Sequence, residues 1–401
     1  MIYRSLLLLT LFGTSCGFIR AEDWPQWRGA ERDGHVSRLP ESLAGLKLVW
    51  REKVAGACDA GISVADGLLV MADHDDQNDY YVARAAADGR EVWKRTFPNG
   101  REMDYGAGPR ATPLVYQGRV YVQSAFGDLD CLEHKTGKTV WHKNYLDDLG
   151  GGKVPRWGYC GSPLVASDKL IVAPGGKASL VALEPKTGRV LWQSGPGQPN
   201  YSSPIIGVFG GVEQVVGYDA KSLGGWELAS GKRLWMVEID SSGGYVVPTP
   251  LKVGEALFVA DSTNWAQIYA FDPGGVIRQP AIAKSEDLAP AVPTPTAAGP
   301  LILGQAEKLV CLDAVDGLKT LWLDEEEKAF QSDCHLLVAG NRGLAMNSEG
   351  VLVLFRFDRT GVKVLGQQTV CQKTLMHPTL VDGRFYVRDA ESVFCYELGG
   401  R

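Results

Sequence analysis

The sequence has no concentration of basic residues and no long apolar run after its N-terminus. Its 41 Lys and Arg are outnumbered by 47 Asp and Glu, which gives a net charge of −6. A nucleic-acid-binding protein usually concentrates positive charge to pair with phosphates. No segment after the first twenty residues is apolar for long enough to cross a bilayer. We therefore predict neither a nucleic-acid partner nor a transmembrane span.

Common motifs for metal binding are also missing. The six histidines are scattered and none belongs to an H-E-x-x-H pattern, and the eight cysteines include no C-x-x-C pair. Zinc ribbons and thioredoxin-like sites need that cysteine spacing. Without Cys16, which lies in the N-terminal apolar segment, seven cysteines remain. At least one must stay free or pair between chains, unless all are reduced.

The first residues are typical of an export signal. Arg4 provides a positive charge, and the apolar run Ser5–Phe12 is too short to span a bilayer. We predict a signal peptide over residues 1–21, with cleavage after Ala21, and a periplasmic or extracellular protein. The alternative is a lipoprotein acylated at Cys16, although the residues before it lack the usual aliphatic side chain.

A repeated turn dominates the rest of the chain, which is rich in glycine (48) and tryptophan (11). Asp, Thr or Ser is followed by Gly, and a tryptophan comes four residues after that glycine. Four copies are Asp88–Trp93, Thr136–Trp141, Thr187–Trp192 and Ser230–Trp235. A longer fifth copy is Asp316–Trp322, and Asp272–Arg278 and Thr360–Leu365 keep the turn without the tryptophan. Glycine in this setting predicts a tight hairpin, and we assign the tryptophans to packing between neighbouring sheets.

A second pattern, a small polar residue or histidine followed by proline, marks the start of a repeat. It occurs at Thr112-Pro113, Ser162-Pro163, Ser203-Pro204, Thr249-Pro250, Thr294-Pro295 and His377-Pro378. Proline is tolerated at the beginning of a strand. Alternating apolar runs between the two patterns give four strands per repeat. A period of about 40–50 residues with four strands is that of a propeller blade.

Counting the repeats predicts an all-β fold, an eight-bladed β-propeller of four-stranded blades over residues 46–401. The eighth repeat ends at the C-terminus without its tryptophan strand, and the missing strand is Leu46–Arg51 at the other end. We therefore expect the N-terminal strand to join the last blade and close the ring, which removes two open sheet edges. Residues 22–45 are predicted to be an N-terminal extension. Cys58 and Cys371 should both lie in loops near the last blade and could pair; the other interpretation is that they are small buried apolar residues.

The segment Val120–Trp141 resembles the repeat of the pyrroloquinoline quinone (PQQ) propeller family, and the resemblance extends from Leu46 to the C-terminus. Asp23–Gly29 also resembles the start of many exported bacterial members. The resemblance implies two functional branches. Quinoprotein dehydrogenases bind PQQ and calcium above the channel, often beside adjacent cysteines, which this sequence lacks. Non-enzymatic members resemble the outer-membrane assembly lipoprotein and use the ring as an interaction surface.

Loops that lead into the first strand of each repeat should gather around one mouth of the channel. They contain aromatic and charged residues suited to a ligand or peptide site, although long loops expose such residues routinely. The candidate contact residues are Arg110, Trp157, Tyr159, Tyr201, Tyr245, Asp333, His335, Lys373 and His377. Of these, Arg110 is the expected anion partner and Trp157 the stacking platform.

The carboxylates Asp73, Asp75 and Asp79 offer closely spaced oxygen atoms for calcium, but a solvated hairpin insertion is the favoured interpretation. We predict no cofactor, with PQQ and calcium as the alternative. The expected function is a non-catalytic, monomeric binding or scaffold protein of the cell envelope. It would hold a protein, small molecule or carbohydrate at the mouth. A PQQ-dependent alcohol or sugar dehydrogenase and a carbohydrate-active enzyme remain the alternatives.

Overall fold

The computed structural model describes residues 23–399 except 241 and 243. The predicted signal peptide and Cys16 lie outside these residues. Within them the chain forms 32 strands, one helical turn at Tyr145–Asp148 and a 3₁₀ turn at Lys328–Phe330. No helix in the described part of the chain is long and apolar enough to cross a bilayer.

The strands form eight antiparallel sheets of four, which confirms the predicted eight-bladed propeller. Strand β1 (Lys47–Lys53) belongs to the last blade, and the first four blades follow it in chain order. Blade one contains β2 (Ser63–Ala65), β3 (Leu68–His74), β4 (Asn78–Ala85) and β5 (Glu91–Pro98). Blade two contains β6 (Leu114–Tyr116), β7 (Arg119–Gln123), β8 (Asp128–Glu133) and β9 (Thr139–Asn144). Blade three contains β10 (Leu164–Ala166), β11 (Lys169–Val172), β12 (Val181–Leu183) and β13 (Val190–Gln193). Blade four contains β14 (Ile205–Phe209), β15 (Val212–Asp219), β16 (Ser222–Glu227) and β17 (Arg233–Glu238).

The remaining four blades continue the same order. Blade five contains β18 (Leu251–Val253), β19 (Ala256–Val259), β20 (Ala266–Tyr269) and β21 (Ala283–Ser285). Blade six contains β22 (Thr296–Ala298), β23 (Leu301–Gln305), β24 (Leu309–Asp313) and β25 (Lys319–Asp324). Blade seven contains β26 (Cys334–Ala339), β27 (Arg342–Asn347), β28 (Val351–Asp358) and β29 (Gly361–Thr369). Blade eight contains β30 (Thr379–Val381), β31 (Arg384–Arg388) and β32 (Ser392–Glu397), and β1 completes it.

Ring closure by the N-terminal strand is confirmed. Strand β1 pairs antiparallel with β32, from Lys47 opposite Glu397 to Lys53 opposite Ser392. The sheet order of this blade is β1-β32-β31-β30. The two ends of the chain therefore share one blade, so the ring is closed by a β-ladder and the last blade has its full four strands.

The turn glycines and the tryptophans form one inter-blade contact. Four of the tryptophans lie on the turn glycine of the next blade, where a built Cβ would come within 3 Å of the indole. The pairs are Trp50 with Gly89, Trp93 with Gly137, Trp141 with Gly188, and Trp192 with Gly231. Each indole N–H also donates to a carbonyl of that next blade, namely Ala86, His134, Pro185 and Leu228 respectively. Blades are thus joined by a repeated apolar and polar contact.

Blade five shows how this contact adapts when the repeat is irregular. Trp235 Nε1 donates to Gln214 Oε1 of its own blade at 2.6 Å. The Gln214 amide in turn donates to the carbonyl of Gly275 at 2.8 Å, in the irregular turn of blade five. A glutamine side chain therefore replaces the direct indole–carbonyl bond.

The residue before each proline also joins neighbouring blades. Backbone N–H groups of Thr112, Ser162 and Thr249 each donate to the hydroxyl of the following blade, at Ser162, Ser203 and Thr294. All three bonds are 3.0 Å long. The recurring Ser or Thr is therefore a buried acceptor that satisfies a backbone donor near the channel.

The predicted N-terminal extension enters the channel. We call residues 23–36 the plug. Trp24 exchanges two backbone hydrogen bonds with Val64 of β2, the carbonyl of Pro25 accepts from Val115 of β6, and Val36 donates to Val338 of β26. Concavities beside the plug are lined by the turns between the first and second strands of several blades. The plug therefore closes the channel near the end opposite the mouth.

No disulfide joins Cys58 and Cys371. All seven described cysteines are free thiols; Cys58 and Cys160 are half-buried and the other five are buried. The Cys58 thiol donates to the carbonyl of Pro109 at 3.0 Å. The structure therefore agrees with the interpretation of these cysteines as small, mainly buried apolar residues.

Candidate functional site

The mouth contains a cluster of four aromatic side chains from four successive blades. The Trp157 ring lies 5.2 Å from Tyr201, 5.1 Å from Tyr245 and 6.3 Å from Tyr105, between ring centroids. Tyr105 lies in the loop before β6 and Trp157 in the loop before β10. Tyr201 lies before β14 and Tyr245 before β18. We call these four residues the aromatic cluster. The predicted contact residues Trp157, Tyr201 and Tyr245 are thus brought together. Tyr105, the fourth member, is 85% exposed.

Arg110 holds the loop that carries Tyr105. Its Nη1 donates to the carbonyl of Gly108 at 2.9 Å, and its Nη2 donates to the carbonyls of Asp104, Tyr105 and Gly106 at 2.8–3.3 Å. Tyr105 has a φ of 64°, which a non-glycine residue adopts only with support from its surroundings. Arg110 therefore stabilises the loop with the guanidinium nitrogens that were expected to bind an anion.

An ion pair connects this loop to the next one. Arg156 contacts the Asp104 carboxylate at 3.1 Å. The Arg156 guanidinium carbon also lies 5.4 Å from the centre of the Trp157 ring. Because both charged groups are exposed, the pair adds little to folding stability. It does fix the position of a cation at the edge of the aromatic cluster.

Asp59 is a charged residue of the mouth that the sequence did not single out. It lies in the loop before β2 and its side chain remains in contact with solvent. Burial raises its pKa, while the positive charges of Arg110 and Arg388 act in the opposite direction. A pattern search does not find Asp59, because its neighbours come from other blades.

Three other candidates are buried rather than displayed at the mouth. Tyr159 packs edge-on against Tyr145 at 4.9 Å and donates its hydroxyl to the carbonyl of Pro174. His335 and His377 are 5% and 3% exposed, and their ring centroids are 5.3 Å apart. His377 also contacts Trp24 and Trp27 of the plug. The two histidines thus lie where the plug meets blades seven and eight.

The last two candidates lie on another part of the mouth. Lys373 is exposed and pairs with Glu349 at 3.3 Å. Asp333 is half-buried, and burial raises its pKa. It lines a cleft of about 510 Å³ together with Glu286, Asp287 and Glu307. The mouth therefore carries the aromatic cluster with Arg110 and Arg156 at blades two to five, and a cleft with four carboxylates and Lys308 at blades five to seven.

Two buried arginines of the plug line the channel. Arg28 donates to the carbonyls of Thr294 and Pro295 and to the Thr296 hydroxyl, all in blade six. Arg32 donates to the carbonyls of Ser162 and Pro163 in blade three. Burial lowers the pKa to about 10 for Arg28 and about 9 for Arg32, so both remain charged at neutral pH.

The three carboxylates considered for calcium have separate partners. Asp73 pairs with Arg388 at 3.1 Å, Asp79 pairs with His74 at 2.8 Å, and Asp75 accepts from the hydroxyl of Tyr80. They lie in or beside the hairpin that joins β3 and β4, as the favoured interpretation expected. Asp73 and Asp79 are buried, however, and not solvated. Across residues 23–399, apart from the two undescribed positions, no three His, Cys, Asp or Glu side chains are grouped to share a metal ion.

Beside the aromatic cluster, the carboxylates are poorly suited to calcium, which together with PQQ is the cofactor that the resemblance implies. Calcium takes several oxygen ligands with net negative charge. Here Asp104 is neutralised by Arg156, and Asp59 lies close to two guanidinium groups. These two carboxylates thus offer no shared site for this ion.

Comparison with known proteins gives relatives from both functional branches. The assembly factor BamB of Burkholderia pseudomallei (strain K96243) is 25% identical over 252 residues, which cover 61% of this chain and 59% of that protein. Lupanine 17-hydroxylase [cytochrome c] of a Pseudomonas species is 27% identical over 201 residues, covering 46% and 28% of the two chains. The chain thus spans less than two thirds of either curated relative.

Solved structures share the fold. BamB of Moraxella catarrhalis superposes with a TM-score of 0.61 at 16% identity, over 88% of this chain and 98% of that one. Quinohemoprotein alcohol dehydrogenase of Comamonas testosteroni gives 0.67 at 15% identity, over 95% and 81%. At these identities the likeness concerns the fold alone. A family model described as outer membrane protein assembly factor BamB (PQQ_2) matches residues 32–275, more than half of the chain, and the protein belongs to this family.

Proposed function

We propose that the protein is a non-catalytic binding protein of the cell envelope that holds its partner at the mouth of the propeller. The observation that carries this proposal is the aromatic cluster of Tyr105, Trp157, Tyr201 and Tyr245. Aromatic side chains beside arginine are the residue types that dominate binding energy in protein interfaces. The family description, an outer-membrane assembly factor, supports a location in the envelope and a protein partner.

The geometry of the cluster supports binding rather than simple packing. Tyr105 is largely exposed, and the other three rings of the cluster are only half-buried, so all four can contact a partner. The loop of Tyr105 is held by Arg110, so less conformational entropy is lost when a partner binds there. We further propose that Asp333 and Lys373 contact the partner at the rim and that the protein acts as a monomer.

The first experiment is a tryptophan-fluorescence titration with PQQ, with and without calcium. The proposal expects no saturable quenching. Saturable, calcium-dependent quenching would contradict it and favour the PQQ-dependent oxidoreductase that the dehydrogenase relatives suggest. A screen of alcohols and sugars as substrates would then follow.

The second experiment compares partner capture from envelope extracts by three proteins. These are the native chain, the double variant Trp157→Ala/Tyr201→Ala and the control Val315→Ser. Val315 is 83% exposed in the turn before β25, which is at the opposite end of the blades. A protein retained by the native chain and the control, but lost by the double variant, supports binding at the mouth. Equal retention by all three would place the interaction elsewhere.

A further inference from the structure

The junction between the plug and blades seven and eight is built from neutral histidines beside a buried arginine. His335 and His377 face each other with ring centroids 5.3 Å apart, and Trp24 and Trp27 pack against His377. Arg28 is close enough for its charge to disfavour protonation of both imidazoles. The guanidinium itself is held in place by carbonyl and hydroxyl oxygens of blade six.

Hydrogen bonds to backbone carbonyls define which nitrogen of each imidazole carries the proton. His335 Nε2 lies 2.8 Å from the carbonyl of Leu375, and His377 Nδ1 lies 2.7 Å from the carbonyl of Pro378. Since a carbonyl only accepts, each of these nitrogens is protonated. His335 Nδ1 and His377 Nε2 are buried, and no described protein group bonds to them. These are the atoms that a second proton would occupy.

A proton on either imidazole would have little compensation. The charged groups that act on the pair are Arg28 and the other histidine. Asp33 is the carboxylate that acts on Arg28. A second positive charge in this buried junction would be costly, because buried charges need a partner of opposite sign. Release of the plug would return both imidazoles and Arg28 to water.

We propose that the plug is an acid-released closure of the channel: protonation of His335 and His377 frees residues 23–36 and opens the propeller from end to end. The ring itself does not depend on the plug, because β1 and β32 close it through their own ladder. The plug is attached by backbone hydrogen bonds and by the side chains of Trp24, Trp27, Arg28, Arg32 and His35, while the ladders of the blades are formed without it. It can therefore leave while the eight blades remain folded.

The pH dependence has a definite sign. Burial lowers the pKa of His335 from 6.5 to about 4 and that of His377 well below 6.5. The closed state is therefore fully stable above pH 6.5 and loses stability as the pH falls from 6.5 towards 4. The opening constant is the ratio of molecules with a free plug to molecules with a bound plug. As the pH falls, it increases up to about tenfold per pH unit for each imidazole that is protonated only in the open state.

Hydrogen exchange of the whole protein between pH 4 and pH 7.5 tests the proposal. The amides of Trp24 and Val36, which bond to Val64 and Val338, report on the plug, and amides of β27 report on the ring. After correction for the chemical exchange rate, the opening constant of the plug amides should increase up to about 100-fold for each pH unit below 6.5, because opening takes up two protons. The β27 amides should stay protected. Simultaneous opening of plug and β27 at every pH would overturn the proposal.

Two substitutions keep the hydrogen bonds and remove the protonation site. In His335→Gln the amide reaches the carbonyl of Leu375, and in His377→Asn it reaches that of Pro378. The double variant should lose the acid dependence of plug opening, and His377→Asn alone should halve its slope. The control is His142→Gln, an exposed histidine of blade two that pairs with Asp130 and not with the plug. It should keep the native acid dependence; an unchanged pH profile in both histidine variants would also overturn the proposal.

Discussion

The indole of Trp50 lies on Gly89, so the strand that closes the ring is joined to the blade that begins it. A Cβ built on Gly89 would lie 2.8 Å from two ring carbons of Trp50, and Trp50 Nε1 donates to the carbonyl of Ala86 at 3.1 Å. The same arrangement recurs between blades one and two, two and three, and three and four. Ring closure therefore uses the contact that joins ordinary neighbours.

Replacement of Gly89 by alanine tests this contact. Gly89→Ala should lower the free energy of unfolding by about 2–4 kcal/mol, because the methyl group overlaps Trp50 and the residue has a positive φ. Gly67→Ala is the matched control: its φ is 77°, against 78° at Gly89, but no atom lies within 4 Å of its built Cβ. It should cost only about 1–2 kcal/mol. Equal losses in urea unfolding would show that backbone strain alone matters.

The buried arginine of the plug should be important for stability. Arg28→Met leaves the carbonyls of Thr294 and Pro295 without their donor, and we expect a loss of about 2–4 kcal/mol in the free energy of unfolding. Arg189→Met removes an exposed pair with Glu184 and should change it by less than about 1 kcal/mol. Similar values for both variants would mean that the plug contributes little to the fold.

Asp130 should make the protein less stable as the pH rises. Burial raises its pKa to about 6, although His142 at 3.1 Å acts in the opposite direction. The folded state therefore binds this proton more tightly than the unfolded state, whose pKa is near 3.8. The resulting stability is present below pH 3.8 and is lost between pH 3.8 and 6.

The variant Asp130→Asn removes this titration. At pH 7 it should be more stable than the native chain by about 1–3 kcal/mol, and near pH 4 the difference should largely disappear. Urea unfolding at several pH values measures both quantities. A less stable variant at pH 7 would show that the ionised carboxylate is favourable in its pair with His142.

Arg110 should position the aromatic cluster. Arg110→Ala removes the donors that hold four loop carbonyls, so hydrogen exchange over residues 104–110 should increase at least about tenfold, which corresponds to about 1.4 kcal/mol of lost local stability. Lys373→Ala removes another rim cation, which pairs with exposed Glu349, and should leave this loop unchanged. An unaltered exchange rate in Arg110→Ala would leave the guanidinium free for the anion-binding role predicted from the sequence.

Much of the fold could be predicted because the signals are local and repeated. The Asp-Gly or Thr-Gly turns, the Ser/Thr-Pro starts and the tryptophans of the outermost strands recur at corresponding places in their blades. The aromatic cluster was predicted in part, since Trp157, Tyr201 and Tyr245 belong to corresponding loops. Tyr159, His335 and His377 have similar positions in the sequence, yet they are buried. Whether a loop side chain faces solvent depends on neighbouring blades, which sequence patterns do not describe.

The sequence by itself determined the blade period, the number of blades and the strand that closes the ring. These features follow from turn geometry and from alternating apolar residues, both of which act over a few residues. Only the tertiary structure decided that residues 23–36 plug the channel. The acceptors of Arg28 lie in blade six, 266 to 268 residues further along the chain. They surround Arg28 only because the closed ring brings the first strands of distant blades around one channel, where a buried guanidinium can satisfy their carbonyls.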